Sequence, residues 1–422
     1  MRFNVLDYGI LPDGKTNNTK KINELIKKAA SVGGEIYFPK GEYLSGTVFF
    51  EDGVTLFLDE GATLLGSEDF CDYPLISVEG YTRGGHWGLI SALEKENITL
   101  AGKGKIDARG GAWWKSGKDD LVRPRTISFI LSKNVVIRDV TITNSPCWTI
   151  HPMCCEDVLI ENVSIFNPYK SPNTDGINPE SSKNVVIRNC HLDVGDDCIA
   201  IKSGTEDDLL QKRYPCENVT IEGCTMAHGH GGVVIGSEMS GGVINVVIKD
   251  CIFRNTDRGI RLKTRRMRGG RIEGIRAHNI TMENPLAAIT FNEYYYYGTL
   301  SAPPEEVFDK EAREITPLTP VIKDVFLSDI NATGIKGVGI YMLGLPEMPI
   351  ENIVMNNLNL DIVGCENAIS AVSALDREKS KGDGIFLENV HGVEIEDLEI
   401  KCPLEKYILK NAEDVKINGA DV

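Results

Sequence analysis

Three aspartates, a histidine and two cations stand at spacings that suit acid–base chemistry on an anionic substrate. They lie in four short stretches, each running into an apolar strand: Asn173-Thr174-Asp175-Gly176-Ile177-Asn178, Gly195-Asp196-Asp197-Cys198-Ile199-Ala200, His228-Gly229-His230-Gly231-Gly232-Val233-Val234 and Asp257-Arg258-Gly259-Ile260-Arg261-Leu262-Lys263. Aligned on Ile177, Ile199, Val233 and Ile260, they superimpose without gaps. Asp175, Asp197, Gly231 and Arg258 then share one column, and Thr174, Asp196, His230 and Asp257 share the column before it. If each stretch is one rung of a parallel β stack, equivalent positions lie roughly 4.8 Å apart. Asp175 is then expected under Asp197, with Asp196 beside both and His230 stacked over Asp196. Crowded carboxylates cannot all ionise cheaply, so one of the three should keep its proton toward neutral pH and serve as an acid. Alternation of side chains puts Asn178, Ala200, Val234 and Arg261 in one outward column. Glu180, Lys202, Gly236 and Lys263 form the next, with His151 expected there too and Glu180 free to pair with one of its cations.

The elements that must position these groups repeat along the chain. Asn134-Val-Val-Ile-Arg-Asp, Asp157-Val-Leu-Ile-Glu-Asn, Asn184-Val-Val-Ile-Arg-Asn, Asn218-Val-Thr-Ile-Glu-Gly and Asn245-Val-Val-Ile-Lys-Asp recur at a solenoid period of about 23 to 34 residues. Fainter copies follow at Lys323-Asp324-Val325, Asn352-Ile353-Val354 and Gly392-Val393-Glu394-Ile395. Each unit has room for two or three short strands and Gly, Asn or Pro turns. The expected fold is all-β, a right-handed parallel β-helix spanning 1–422 as one catalytic domain. The alternative, a β-propeller, would need longer antiparallel strands and two-residue hairpins. Recurring Asn anchors should stack as an amide ladder at one corner, and Cys190, Cys224 and Cys251 should stack inside the coil in line with Val140 and Val163. Residues 1–70 read as a cap and first coils: Ile22, Leu25, Ile26 and Ala29 have helical spacing between Lys20 and Ser31, and Gly33-Gly34 stops that helix. Insertions break the repeat at 205–217, 293–318 and 363–383. The second, with Tyr294 to Tyr297 and Pro303-Pro304-Glu305-Glu306, is the candidate wall or lid of the site, its tyrosines offering flat faces to sugar rings.

A formal charge of −16 and a pI near 5.0 argue against nucleic acid or an anionic membrane as partner. No apolar run approaches the length of a membrane span, and no secretory signal opens the sequence, so a cytoplasmic protein is expected. Eleven cysteines without metal-type spacing to histidine read as buried small hydrophobes, and neither a metal nor another cofactor is expected. An acidic protein that takes an anionic substrate needs local basic patches. The run Arg265, Arg266, Arg268 and Arg271 is read as one, with Arg268 counted among the substrate-binding residues; the alternative is pairing with neighbouring acids.

Taken together, Asn173-Thr174-Asp175-Gly176, Gly195-Asp196-Asp197-Cys198, Gly229-His230-Gly231 and Arg261-Leu262-Lys263 resemble the four motifs of the polygalacturonases, glycoside hydrolase family 28. Asp7-Tyr8-Gly9 with Asp13-Gly14 and the Trp113-Trp114 region extend the resemblance over nearly the whole chain. Gly236-Ser237-Glu238-Met239-Ser240-Gly241-Gly242 and Arg268-Gly269-Gly270 are similar to the exo-acting bacterial and plant branches. The resemblance implies an inverting hydrolase of α-1,4-galacturonosyl linkages in oligogalacturonides, acting from a chain end and releasing galacturonic acid. It makes Asp196 the acid, Asp175 and Asp197 the holders of the attacking water, His230 a partner of Asp196, and Arg261 and Lys263 the ligands of galacturonate carboxylates. Lys202, His151, Asn178 and Arg268 complete the expected substrate contacts. An endo-polygalacturonase or a rhamnogalacturonan-cleaving hydrolase would share the fold, as would a calcium-dependent pectate lyase with an Arg or Lys base. A non-catalytic carbohydrate-binding β-helix would have no use for three stacked aspartates beside a histidine.

Overall fold

The computed structural model describes residues 1–82, 84–115, 122–296, 304–367, 369–370 and 379–422. They form two units, Met1–Asp197 and Cys198–Val422, and the division falls inside the Gly195-Asp196-Asp197-Cys198 stretch. Each unit is a coil of parallel strands whose alternating residues point into a shared apolar interior.

In the first unit, Glu35–Phe38, Thr55–Leu58, Glu96–Ala101, Lys133–Arg138, Glu156–Glu161 and Lys183–Arg188 pair in sequence order, rung on rung. Ile98, Val135, Val158 and Val185 lie level with one another and are buried. A second face runs from Gly41–Ser45 to His191–Asp193. The third stacks Val48–Phe49, Ile90–Leu93, Ile127–Ile130 and Ile150–Met153, and bridges from Ile150 to Ile177 and from Met153 to Glu180 carry it into the first aspartate stretch. In the second unit, Cys216–Glu222, Val243–Arg254, Arg271–Glu283, Val321–Ile335, Ile350–Ile362 and Asp383–Lys401 repeat the first face. Ile199–Ile201, Val233–Ile235, Arg258–Lys263, Ala287–Asn292 and Val338–Leu343 form the face that carries the cations.

The corners explain the recurring asparagines. Asn97, Asn134, Asp157, Asn184, Asn218 and Asn245 all have φ between 52° and 57°, the left-handed region that Asn and Asp enter more cheaply than other side chains. Their amides also bond along the axis: Asn134 Nδ2 donates to Asn97 Oδ1 (3.0 Å), Asn184 Nδ2 to Asp157 Oδ1 (2.9 Å) and Asn245 Nδ2 to Asn218 Oδ1 (3.4 Å). The cysteine ladder forms as well, with Cys190 level with Val163, Cys224 level with Cys251, and all three buried thiols outside any disulfide.

Helix Thr19–Ala30 buries Ile22, Leu25, Ile26 and Ala29, the residues its periodicity selects. Asn23 accepts from the Phe49 amide (2.8 Å) and donates to the Thr47 carbonyl (2.9 Å), so the helix satisfies backbone groups at the start of the third face. Among the described residues no helix is long and apolar enough to cross a membrane.

Candidate active site

Asp175, Asp196 and Asp197 converge at the end of the first unit, each with a carboxylate oxygen within 4.8 Å of the others. The Gly176 amide donates to the Asp197 carbonyl (3.0 Å), which sets Asp175 and Asp197 on adjacent rungs in the expected column. Asp175 and Asp197 are buried and Asp196 is half-buried. Asn178 Nδ2 donates to Asp175 Oδ2 (2.8 Å), and the Asp197 amide to Asp196 Oδ1 (2.9 Å), so two of the carboxylates are held from within the turn itself. A side chain at Gly195 would come within 2.4 Å of the Ser171 carbonyl, so the tight approach ahead of Asp196 requires glycine.

In the second unit the Cys198 amide donates to the Gly231 carbonyl and the Gly232 amide to that of Arg258, which places the other two stretches in register. His230 is exposed on the tight turn before Val233. Arg261 and Lys263 lie two residues apart on Arg258–Lys263, only 4% and 5% exposed. Both lie near Tyr295, its ring centre 5.3 Å from the Arg261 guanidinium carbon and 5.0 Å from Lys263 Nζ, the distance range of cation–π contact. Asn292 sets up this turn by accepting the Tyr294 amide (2.9 Å), and the Tyr295 amide bonds the Thr264 carbonyl (2.9 Å). Lys202, level with Gly236 and Lys263, is buried with its ammonium 2.8 Å from Glu238, so its charge is met within the protein.

The structure corrects three expectations. His151 does not belong to the Lys263 column: the bridge from Met153 to Glu180 sets it level with Asn178, where its Nε2 lies 2.8 Å from Glu180 Oε2. Its pairing with Glu180 is therefore a buried one across neighbouring rungs. Arg268 is not a substrate-facing residue. It is 1% exposed, and Arg265 and Arg268 each bond one oxygen of Glu206 at 2.7 Å. Arg266 forks onto Glu347 (2.6 and 2.8 Å) and donates to the carbonyls of Glu306, Asp309 and Glu311. The basic run thus ties insertions 205–217 and 293–318 to the coil, which is the alternative of pairing with acids. Tyr294 is no sugar platform either, being 3% exposed and packed with Ala287, Val338, Tyr341, Leu343, Leu345 and Phe386. Tyr297 and Pro303 of that insertion lie outside the described residues.

Arg123 was not legible as a site residue, yet it organises the first aspartate turn. Its guanidinium donates to the carbonyls of Pro146 and Pro172 (2.8 Å each) and to Asn173 Oδ1 (2.6 Å), two residues ahead of Asp175. The only sequence signal was Arg-Pro-Arg directly before an apolar strand.

Residues 38–381 match the model of the glycosyl hydrolases family 28. A protein named "Probable polygalacturonase" from Vitis vinifera is 32% identical over 374 residues, covering 85% of this chain and 74% of that one. An exopolygalacturonase from Zea mays is 28% identical over 90% of this chain and 88% of its own. The structure of an exopolygalacturonase from Thermotoga maritima superimposes with a TM-score of 0.77 at 26% identity, covering 95% of this chain and 93% of that one. The parallel stacks are accordingly those of a right-handed parallel β-helix. With a family model matched over most of its length and the four motifs in register on the strands, this chain belongs to the glycosyl hydrolases family 28 and is a glycosidase.

Proposed function

We propose that this glycosidase hydrolyses α-1,4-galacturonosyl linkages of oligogalacturonides from a chain end, releasing galacturonic acid. The observation that carries the reading is the convergence of Asp175, Asp196 and Asp197 within 4.8 Å. Hydrolysis needs a proton for the leaving oxygen and an activated water or nucleophile. Asp196, the most exposed of the three, supplies the proton. Asp175 and Asp197, fixed by Asn178 and the rung register, hold the water, and the motif likeness makes His230 a partner of Asp196. Arg261 and Lys263 take galacturonate carboxylates, the Arg fork suiting a bidentate pair, while Tyr295 keeps both cations from collapsing onto the coil.

Carboxyl groups this close are commoner in retaining than in inverting two-carboxylate glycosidases, so inversion rests on the motif likeness, and NMR of the first-formed anomer tests it. End-on action is supported by the exopolygalacturonase names among the relatives and by two insertions held rigidly by the arginine run. A time course on reducing-end-labelled oligogalacturonides tests it: monomer from the first time point supports the assignment, and early mixed lengths refute it. The three oxygens would also suit a hard cation. Activity unchanged by chelator, with no ultraviolet-absorbing unsaturated product, separates hydrolysis from calcium-dependent elimination.

A further inference from the structure

We propose that Arg123 is a positioning residue for the reaction: acting through the Asn173 side chain, it fixes the turn that aims Asp175 at the attacking water. This deepens the proposed function and rests on it.

Asn173, the first residue of the first aspartate stretch, has φ 55°, so the chain passes through the left-handed region two residues ahead of Asp175. Asparagine enters that region more cheaply than most side chains, but it does not hold the turn there by itself. Groups from outside the stretch do so. Arg123 donates from Nη1 to the Pro172 carbonyl (2.8 Å) and from Nη2 to Asn173 Oδ1 (2.6 Å). Asn167 Nδ2 donates to the Thr174 carbonyl (3.3 Å), and the Thr149 amide to the Asp175 carbonyl (2.8 Å). Each residue from Pro172 to Asp175 is thereby tied, and Arg123 ties the first two. Its Nη1 also donates to the Pro146 carbonyl (2.8 Å), in the turn that leads into Ile150–Met153, and Ile150 bridges to Ile177 on the next rung. One guanidinium thus joins two successive turns, a task that suits a rigid planar fork of donors.

The burial of Arg123 is a second argument. It is 4% exposed, and its hydrogen bonds go to two carbonyls and an amide oxygen, none to a carboxylate. Nε has no hydrogen-bond partner among the described residues. The buried Arg265, Arg266 and Arg268 are by contrast each met by Glu206 or Glu347. A buried charge without an ion pair is costly, and a clamp that only closed two turns would not need one. The turn it closes, however, carries the first of three converging carboxylates, and a fixed cation beside that turn favours negative charge on it.

The test uses the full-length protein and trigalacturonate. Asn173→Gly leaves the left-handed conformation open to the turn but removes the oxygen that Arg123 holds. Its kcat should fall roughly tenfold to a hundredfold, as a misplacement of about 1 Å brings. KM should stay within about twofold of the parent, because the loss lies in the reacting geometry and not in binding. Arg123→Lys keeps the charge without the fork and should retain more kcat than Arg123→Gln. The double variant Asn173→Gly with Arg123→Gln should lose no more than Arg123→Gln alone, since both changes break one contact. Parental kcat in folded Asn173→Gly, a loss confined to KM, or losses that multiply in the double variant would each overturn the proposal. Should Arg123→Gln fail to fold, Asn173→Gly and the double variant built on Arg123→Lys decide it. A parent that leaves trigalacturonate intact would instead refute the galacturonan reading, and the same kcat ratios would then be taken on the glycoside it does cleave.

Discussion

Arg261 and Lys263 stand within a few residues of Arg265, Arg266 and Arg268, and the sequence offers both groups as candidate contacts for an anionic substrate. Their fates differ completely. The first pair sits on a strand, at alternate positions facing away from the coil interior, both near the Tyr295 ring. The others follow the strand's end, where the chain turns, and Glu206 and Glu347 take them. A cation on a strand has its direction set by the pleat. Beyond the strand it goes wherever a buried acid awaits it, because a buried charge needs a partner. One group stays on the strand face beside Tyr295 and the other anchors insertions.

Substitutions on the two sides of this division should leave opposite signatures. Asp196→Asn, on the reactive side, should lower kcat by roughly a thousandfold or more with no change in melting temperature. Substantial turnover by the folded variant would remove Asp196 from the acid role. Arg266→Met, on the anchoring side, should cost roughly 3–5 kcal/mol of stability, since it strands the buried Glu347 carboxylate. Burial pushes Glu347 up, but the hydrogen bonds and charge of Arg266 outweigh it and hold its carboxyl below the usual 4.5. A depressed carboxyl stabilises above its unfolded pKa and loses that contribution as pH falls through the folded one. The melting deficit of Arg266→Met should therefore be largest near neutrality and shrink in acid. A deficit independent of pH would mean the pair contributes packing alone.

Lys263→Met should lower kcat/KM on galacturonate oligomers roughly tenfold to a hundredfold while leaving thermal stability and the poor use of neutral glycosides unchanged. Loss of stability comparable to that of Arg266→Met would place Lys263 among the anchors. The smallest effect belongs to Glu293, whose carboxyl burial pushes well above its ordinary value of 4.5. Its Oε2 accepts the Leu345 amide (2.9 Å), while Oε1 has no hydrogen-bond partner among the described residues. A raised carboxyl contributes stability below its unfolded pKa and loses it as pH rises. Glu293→Gln should thus gain on the parent in melting temperature as pH climbs above 4.5. A constant difference across that range would show that Glu293 is not buried neutral.

Much of the site was legible because it obeys periodicity. Asp175 and Asp197 fall in one column, and Cys190, Cys224 and Cys251 stack inside, since a parallel rung spacing and a two-residue side-chain alternation follow from the backbone alone. His151 slipped because its strand has no aligned motif and its level depends on pairing with the next coil. Arg123 was invisible as a site residue for a related reason: it acts from a turn, and turn length carries no period.

By itself, then, the order of residues determined the coil, its corner asparagines, its capping helix and the columns in which aspartates and strand cations stand, all of them consequences of local repeat. Only the tertiary structure decided which cations are met by acids within the protein. Whether an arginine meets Glu206, Glu347 or open groove depends on partners some 60 to 80 residues away in the chain, and no local pattern encodes a contact at that distance.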